Sequence, residues 1–136
     1  MKDLIAEFRW RGFLSQTTSD DVAEFLLSER RTMYVGFDPT AASLHLGSLV
    51  PVMGLAHAQR HGHRPIALVG GGTGLIGDPS GKSAERNLLT REQLAHNYAR
   101  IKAQLERLLD FHAPANPARI VNNADWLTTM SAMGPR

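Results

Sequence analysis

Tyr34-Val35-Gly36-Phe37-Asp38-Pro39-Thr40-Ala41-Ala42-Ser43-Leu44-His45-Leu46-Gly47-Ser48 is the stretch on which the fold turns. It reads as the end of a buried strand, Thr32 to Phe37, then a tight turn through Asp38-Pro39-Thr40, then a helix opening near His45. A strand that feeds a helix through a turn leaves free backbone N–H groups and a positive dipole end at the helix start, where an anion can bind. His45 stands at that opening, where an imidazole can donate a hydrogen bond to a phosphate oxygen. Gly47 leaves room for a flat ring or a ribose to lie close to the backbone. A lone histidine at a helix start also serves as a cap or a surface residue. The Asp-Pro-Thr turn followed by His-x-Gly at a strand-to-helix junction is what singles this one out.

The 136 residues fit one domain or part of one, able to bury roughly two thirds of the unfolded surface. A hydrophobic share of 43% beside 21% charged residues is ordinary for a soluble globular protein. The formal charge of +2 is too small to argue for nucleic acid, and the basic residues, mostly Arg, are scattered. Without cysteine there is no disulfide framework and no thiolate metal site. No charged-then-apolar leader and no run approaching the ~20 apolar residues of a membrane span is present, so a cytoplasmic protein with no membrane partner is expected. There is no internal repeat and no low-complexity segment.

Upstream of the strand, Leu4, Ile5, Phe8 and Trp10 fall at helical spacing in Asp3 to Trp10, ending at Gly12. A second helix is expected from Asp20 to Arg30, with Ser19 as its cap and Asp20 and Asp21 in its first turn. Residues 1–30 thus form an N-terminal helical cap with a packing role. Downstream, the helix from Leu46 to His61 is expected to turn Leu49, Val52, Met53 and Ala56 to the core, with Pro51 tolerated in its first turns. His57, His61 and His63 resemble a metal cluster, but no Asp, Glu or Cys lies close in sequence. A solvated helix C-terminus ending at Gly62 accounts for them better. Pro65 to Gly70 is a short apolar run, the mark of a strand buried in a parallel sheet, and completes a βαβ unit.

Two familiar motifs fail in the glycine-rich run Gly70 to Ser83. Gly72-Thr-Gly74-Leu-Ile-Gly77 spells the dinucleotide fingerprint after a strand. Asp78-Pro79-Ser80-Gly81, however, breaks the helix that should follow, and Glu92 lies on a helix rather than at a strand end. Gly81-Lys82-Ser83 suggests a P-loop, yet with four spacers the first glycine falls at Ile76 and Gly77 is one residue too late. Asp78 before Pro79 suits a turn, and Lys82 and Arg86 stand on a polar loop.

Thr90-Arg91-Glu92-Gln93 is a capping box. It opens a helix through Asp110 with Leu94, Tyr98, Ile101, Leu105 and Leu108 on its core face. After a Pro- and Ala-rich loop, Arg119 to Asn123 is a short strand, and Trp126 is expected in the core.

Three separated blocks carry a resemblance that runs from about Gly12 to Trp126. Tyr34 to Ser48 resembles the signature region of class I aminoacyl-tRNA synthetases, and in detail that of tyrosyl-tRNA synthetases. Gly70-Gly71-Gly72-Thr73-Gly74-Leu75-Ile76-Gly77-Asp78-Pro79-Ser80 resembles that family's second block, and Asn123-Ala124-Asp125-Trp126 its Asn-x-Asp-Trp segment. The implied fold is α/β. Residues 31–136 are expected to be the first half of a Rossmann-like parallel nucleotide-binding sheet, truncated, because the family's second half-sheet, second signature loop and tRNA-binding domains find no counterpart before Arg136. The implied activity is ATP-dependent activation of tyrosine to tyrosyl-adenylate and transfer to tRNA(Tyr), with Mg²⁺ brought by the ATP phosphates and a homodimer in full-length form.

The resemblance implies a role for each candidate residue. Thr40, His45, Lys82 and Arg86 would act on the phosphates. Tyr34, Gly36, Asp38, Asp78 and Asn123 would bind tyrosine, with Tyr34 bonding the phenol and Asp78 the ammonium group. Val35, Thr40, His45, Gly47 and Ser48 would bind ATP. Ser48 replaces the family's usual second His or Asn, and Ala42 its common Asp. The competing reading is a non-catalytic, synthetase-derived fragment that binds nucleotide or amino acid weakly or serves only a structural role.

Overall fold

In the computed structural model of the chain, which describes residues 2–76 and 89–130, the strand before Asp38 forms one edge of a parallel sheet. Strands β1 (Thr32–Phe37), β2 (Arg64–Val69) and β3 (Arg119–Asn122) lie in the order β1-β2-β3. Tyr34 stands beside Ile66 and Phe37 beside Val69, while Ile66 pairs with Arg119 and Val69 with Asn122. The α/β class read from the sequence is the one observed.

The apolar run Pro65 to Val69 occupies the central strand, with Pro65, Ala67 and Val69 buried. β1 differs from the expectation of a buried strand. Met33, Val35 and Phe37 turn inward, whereas Thr32, Tyr34 and Gly36 are exposed. Alternate side chains leave a strand on opposite faces, and the core lies on the Phe37 face. There α3 (Leu49–Arg60) and α5 (Arg91–Leu105) pack Val52, Leu55, Ala56, Ile101 and Leu105 against Phe37 and Ala67.

A 3₁₀ turn, Leu46–Ser48, precedes α3. Leu49, expected in the core, is exposed, and Leu55 takes its place because Val52, Leu55 and Ala56 share one face at spacings of three and four. The capping box of α5 is complete: Thr90 Oγ1 accepts from the Gln93 N–H at 3.2 Å and Gln93 Oε1 from the Thr90 N–H at 2.9 Å. α5 stops at Leu105 rather than Asp110, so Leu108 is exposed and Leu109 is buried instead. β3 leads to α6 (Ala124–Leu127), whose Trp126 is partly exposed rather than in the core.

At the N-terminus, α1 (Leu4–Trp10) is capped by Asp3, which accepts from the Ala6 N–H at 2.9 Å. Gly12 beyond it has φ +72°, a left-handed conformation suited to glycine. α2 (Val22–Ser28) is shorter than expected. Asp21, not Ser19, holds the cap position, and the Ser19 hydroxyl donates to the Asp21 carboxylate. Leu4 and Ile5 of α1 and Leu26 of α2 cluster with Ala58 of α3.

That packing corrects the reading of the histidines. His57 is buried, its Nδ1 3.7 Å from Glu7 Oε1 and its ring edge-on to Phe13. His63 is wholly buried, and its Nδ1 accepts from the Arg31 N–H at 3.2 Å. The carboxylate beside His57 comes from fifty residues upstream in the chain, which sequence proximity could not show. Burial pushes both imidazoles below their ordinary pKa. Among the described residues no group of three His, Cys, Asp or Glu side chains is placed to hold a metal ion.

Candidate functional site

The turn after β1 opens into a cleft of about 500 Å³ at the carboxyl end of the sheet, lined by Gly36, Asp38, Thr40, His45, Gly47 and Ser48 among others. Clefts of this size suit small-molecule ligands. Gly36 is the last exposed residue of β1, and the Gly70 N–H, just past β2, donates to the Phe37 carbonyl at 2.9 Å, so both strands end at one level. Asp38 then leaves the sheet against Gly70. A Cβ at Gly70 would lie 2.8 Å from Asp38 Oδ1 and 2.6 Å from Thr73 Oγ1, so glycine is what admits the carboxylate. Pro39 is buried and Thr40 exposed.

His45 occupies the cap position of the 3₁₀ turn, its carbonyl accepting from the Ser48 N–H at 2.9 Å. Its ring is exposed and lies over Gly47, where a Cβ would come within 3.0 Å of Nδ1. The space beside Gly47, read from the sequence as room for a ligand, is thus taken in part by the His45 ring. Ser48 is buried and makes no capping hydrogen bond. Pro51, read only as a tolerated helix residue, also lines the cleft.

Other candidates lie elsewhere. Tyr34 is 69% exposed on the Gly36 face of β1 but does not line the cleft. The Val35 side chain packs against the core, so only its backbone is available to a ligand. Asn123 is buried: its Oδ1 accepts from the Gly72 N–H at 2.7 Å and its Nδ2 donates to Thr73 Oγ1 at 3.2 Å. Its amide thereby holds the first turn of α4 (Gly71–Ile76), a short helix within the glycine-rich run. The glycines permit it, since a Cβ on Gly71 would collide with the Asn122 amide and one on Gly74 would lie 2.9 Å from Leu94 Cδ2. Asp78, Lys82 and Arg86 lie outside the described residues. A second, mainly apolar hollow of about 310 Å³, lined by Leu94, Tyr98, Asn122 and Ala124 among others, contains none of the candidates.

Sequence reasoning missed the side chains that hold the cleft's loop. Asn97 Nδ2 donates to the Pro39 carbonyl at 2.9 Å, and Gln104 Oε1 accepts from the Leu44 N–H at 2.9 Å. The available signal was an Asn between Leu94 and Ile101 on the core face of a helix, where an amide must find a partner.

A parallel sheet whose carboxyl edge carries a turn, a histidine and a helix start is the arrangement of the first half of a class I synthetase Rossmann-like fold. Residues 27–134 match the family described as tRNA synthetases class I (W and Y), and the chain belongs to that family. Among its relatives are tyrosine–tRNA ligases. That of Roseiflexus castenholzii is 55% identical over 133 residues, covering 98% of this chain and 31% of that protein. That of Geobacillus stearothermophilus is 57% identical over 126 residues, covering 92% and 30%. A C-terminally truncated mitochondrial tyrosyl-tRNA synthetase of Coccidioides posadasii superposes with a TM-score of 0.79 at 28% identity, over 97% of this chain and 38% of that one. The chain spans about a third of the length of these relatives.

Proposed function

We propose that the chain supplies the phosphate-handling side of a tyrosine–tRNA ligase, which activates tyrosine with ATP and passes it to tRNA(Tyr). The observation that carries this reading is the convergence of Gly36, Asp38, Thr40, His45, Gly47 and Ser48 on one cleft at the carboxyl end of β1. A tyrosine carboxylate oxygen would attack the α-phosphorus in line, forming the acyl-phosphate bond as the bond to pyrophosphate breaks. No covalent intermediate with the protein is needed, so catalysis rests on positioning and charge stabilisation.

In this reading the Thr40 hydroxyl and the His45 imidazole donate to phosphate oxygens as charge shifts toward the leaving group, and Lys82 and Arg86 join them. Gly36 and Asp38 line the amino-acid side with Asp78, whose carboxylate pairs with the substrate ammonium. Tyr34 bonds the substrate phenol. A site built to bond a hydroxyl rejects the analogue lacking it by about 10⁴–10⁵, and this enzyme family is the standard example. Asn123 acts through α4, by fixing Gly72 and Thr73. The Val35 backbone and Gly47 face the nucleotide. Among the described residues lining the cleft Asp38 is the one carboxylate, so Mg²⁺ would enter on the ATP phosphates. A cytoplasmic homodimer is the expected setting. Among the described residues no helix is long and apolar enough to cross a membrane.

The test is tyrosine-dependent exchange of labelled pyrophosphate into ATP. His45→Ala is expected to lower the exchange rate about 10²–10³-fold, the usual effect of removing one transition-state donor. A folded chain that shows no exchange would leave the cleft as a binding or structural element.

A further inference from the structure

We propose that Asn97 and Gln104 of α5 are positioning residues that set the loop from Asp38 to His45 for phosphate chemistry, an inference that rests on the adenylation reading above. The loop has little structure of its own. Among the described residues, Asp38 through Leu44 make no backbone–backbone hydrogen bond, although they link β1 to the helix start. Their ties instead run to α5. Asn97 Nδ2 holds the Pro39 carbonyl and Gln104 Oε1 holds the Leu44 N–H, each at 2.9 Å.

The orientation of both amides is fixed by their partners. A carbonyl can only accept and a backbone N–H can only donate, so Asn97 serves as donor and Gln104 as acceptor. The two residues are seven apart, which places them on one helix face about 10 Å from each other along the axis. The two bonds therefore bracket the loop. Thr40 follows the first held residue directly, and His45 follows the second. α5 is itself fixed, because Leu94, Ile101 and Leu105 are buried between and beside these amides. Loop geometry is thus dictated by a packed helix, and Asn97, itself buried, has no solvent with which to exchange its bond.

The opposite roles of the two amides make a sharp test. Gln104→Glu keeps an acceptor for the Leu44 N–H, whereas Gln104→Met removes it. Asn97→Asp removes the donor and sets a carboxylate against the Pro39 carbonyl. Each variant is compared by amide hydrogen exchange at Leu44 and by pyrophosphate exchange resolved into kcat and KM for tyrosine and ATP.

Gln104→Met and Asn97→Asp are expected to lower kcat about tenfold or more, with KM for tyrosine changed by about twofold at most. Gln104→Met should also speed Leu44 exchange. Gln104→Glu should recover both slow exchange at Leu44 and most of kcat. Ile101→Val, which loosens the same helix from its core side, should lower the melting temperature while leaving Leu44 exchange and kcat in place. The inference is overturned if Gln104→Met leaves Leu44 exchange unchanged, or if Ile101→Val reproduces the kcat loss. A chain without pyrophosphate exchange would sink the adenylation reading; unchanged Leu44 protection in Gln104→Met would sink the clamp alone.

Discussion

At the carboxyl end of the sheet His45 stands exposed over Gly47, on a loop tied down by side chains of another element. At the amino end His63 is wholly buried beside Arg31, and His57 nearly so beside Glu7 and Phe13. The same residue type thus serves opposite ends. An exposed imidazole on a sparsely bonded loop is available to a ligand and adds little to stability. A buried imidazole such as His63, whose Nδ1 accepts a backbone N–H while its Nε2 has no partner among the described residues, is closed to any ligand and belongs to the packing. The carboxyl edge is where the nucleotide-binding reading puts chemistry, and it is also where backbone pairing is thinnest.

The largest effects should separate the two ends completely. His45→Ala should abolish most pyrophosphate exchange yet shift unfolding free energy by no more than about 0.5 kcal/mol, as for other exposed positions. His63→Ala should do the reverse. Losing the partner of the Arg31 N–H and leaving a cavity should cost about 2–4 kcal/mol in denaturant unfolding, with exchange activity retained in the folded fraction. If His45→Ala destabilises as much as His63→Ala, the contrast between the ends is lost.

Gly70→Ala probes the place where the two blocks of glycine and turn residues meet. The added Cβ must displace Asp38 Oδ1 or Thr73 Oγ1. Overpacking of this kind costs about 1–3 kcal/mol, and here the melting temperature and the KM for tyrosine should both suffer. A loss of stability with substrate binding intact would detach Asp38 from the amino-acid side.

Acidification should loosen the amino end. His57 is depressed first by burial, then by Arg11, Arg60 and His61, with Glu7 opposing; His63 is depressed by burial, then by His61 and Arg30. Between their lowered folded values and about 6.5, the unfolded chain binds more protons than the folded one, so stability rises with pH across that window. Their contribution is whole above about pH 6.5 and is lost as the pH falls through the folded values. Thermal melts at pH 7.5 and 5.5 should show the drop, reduced in a His57→Gln, His63→Gln double variant; an equal drop would assign the acid sensitivity elsewhere. The smallest effect is expected from Thr90→Ala, which removes the α5 cap at about 1 kcal/mol and should leave the cleft loop in place.

Much of this was readable beforehand because it is local. The limits of β1, the capping box at Thr90 and the glycine ends at Gly12 and Gly62 follow from propensity, spacing and backbone freedom within a few residues. So did the grouping of Gly36, Asp38, Thr40, His45, Gly47 and Ser48, which are neighbours in the chain. The environment of His57 is not legible in the sequence because its carboxylate, Glu7, arrives through the folding of α1 onto α3. Helical spacing puts Leu49 on a core face and the sequence reading puts Trp126 in the core, yet which apolar side chains are buried depends on which face of each helix meets the sheet.

The sequence by itself determined the class of fold, the order of its elements and the stretch that carries the candidate chemistry, since these rest on short-range patterns and on family resemblance. Only the tertiary structure decided that Val35 faces the core while Tyr34 faces out. It alone showed Asn123 bonded to the glycine helix and the Asp38–His45 loop bonded to α5. Each of these depends on contacts between residues some fifty or more positions apart, or on which sheet face the helices cover. Their spacing along the chain carries no record of where a packed core will bring them together.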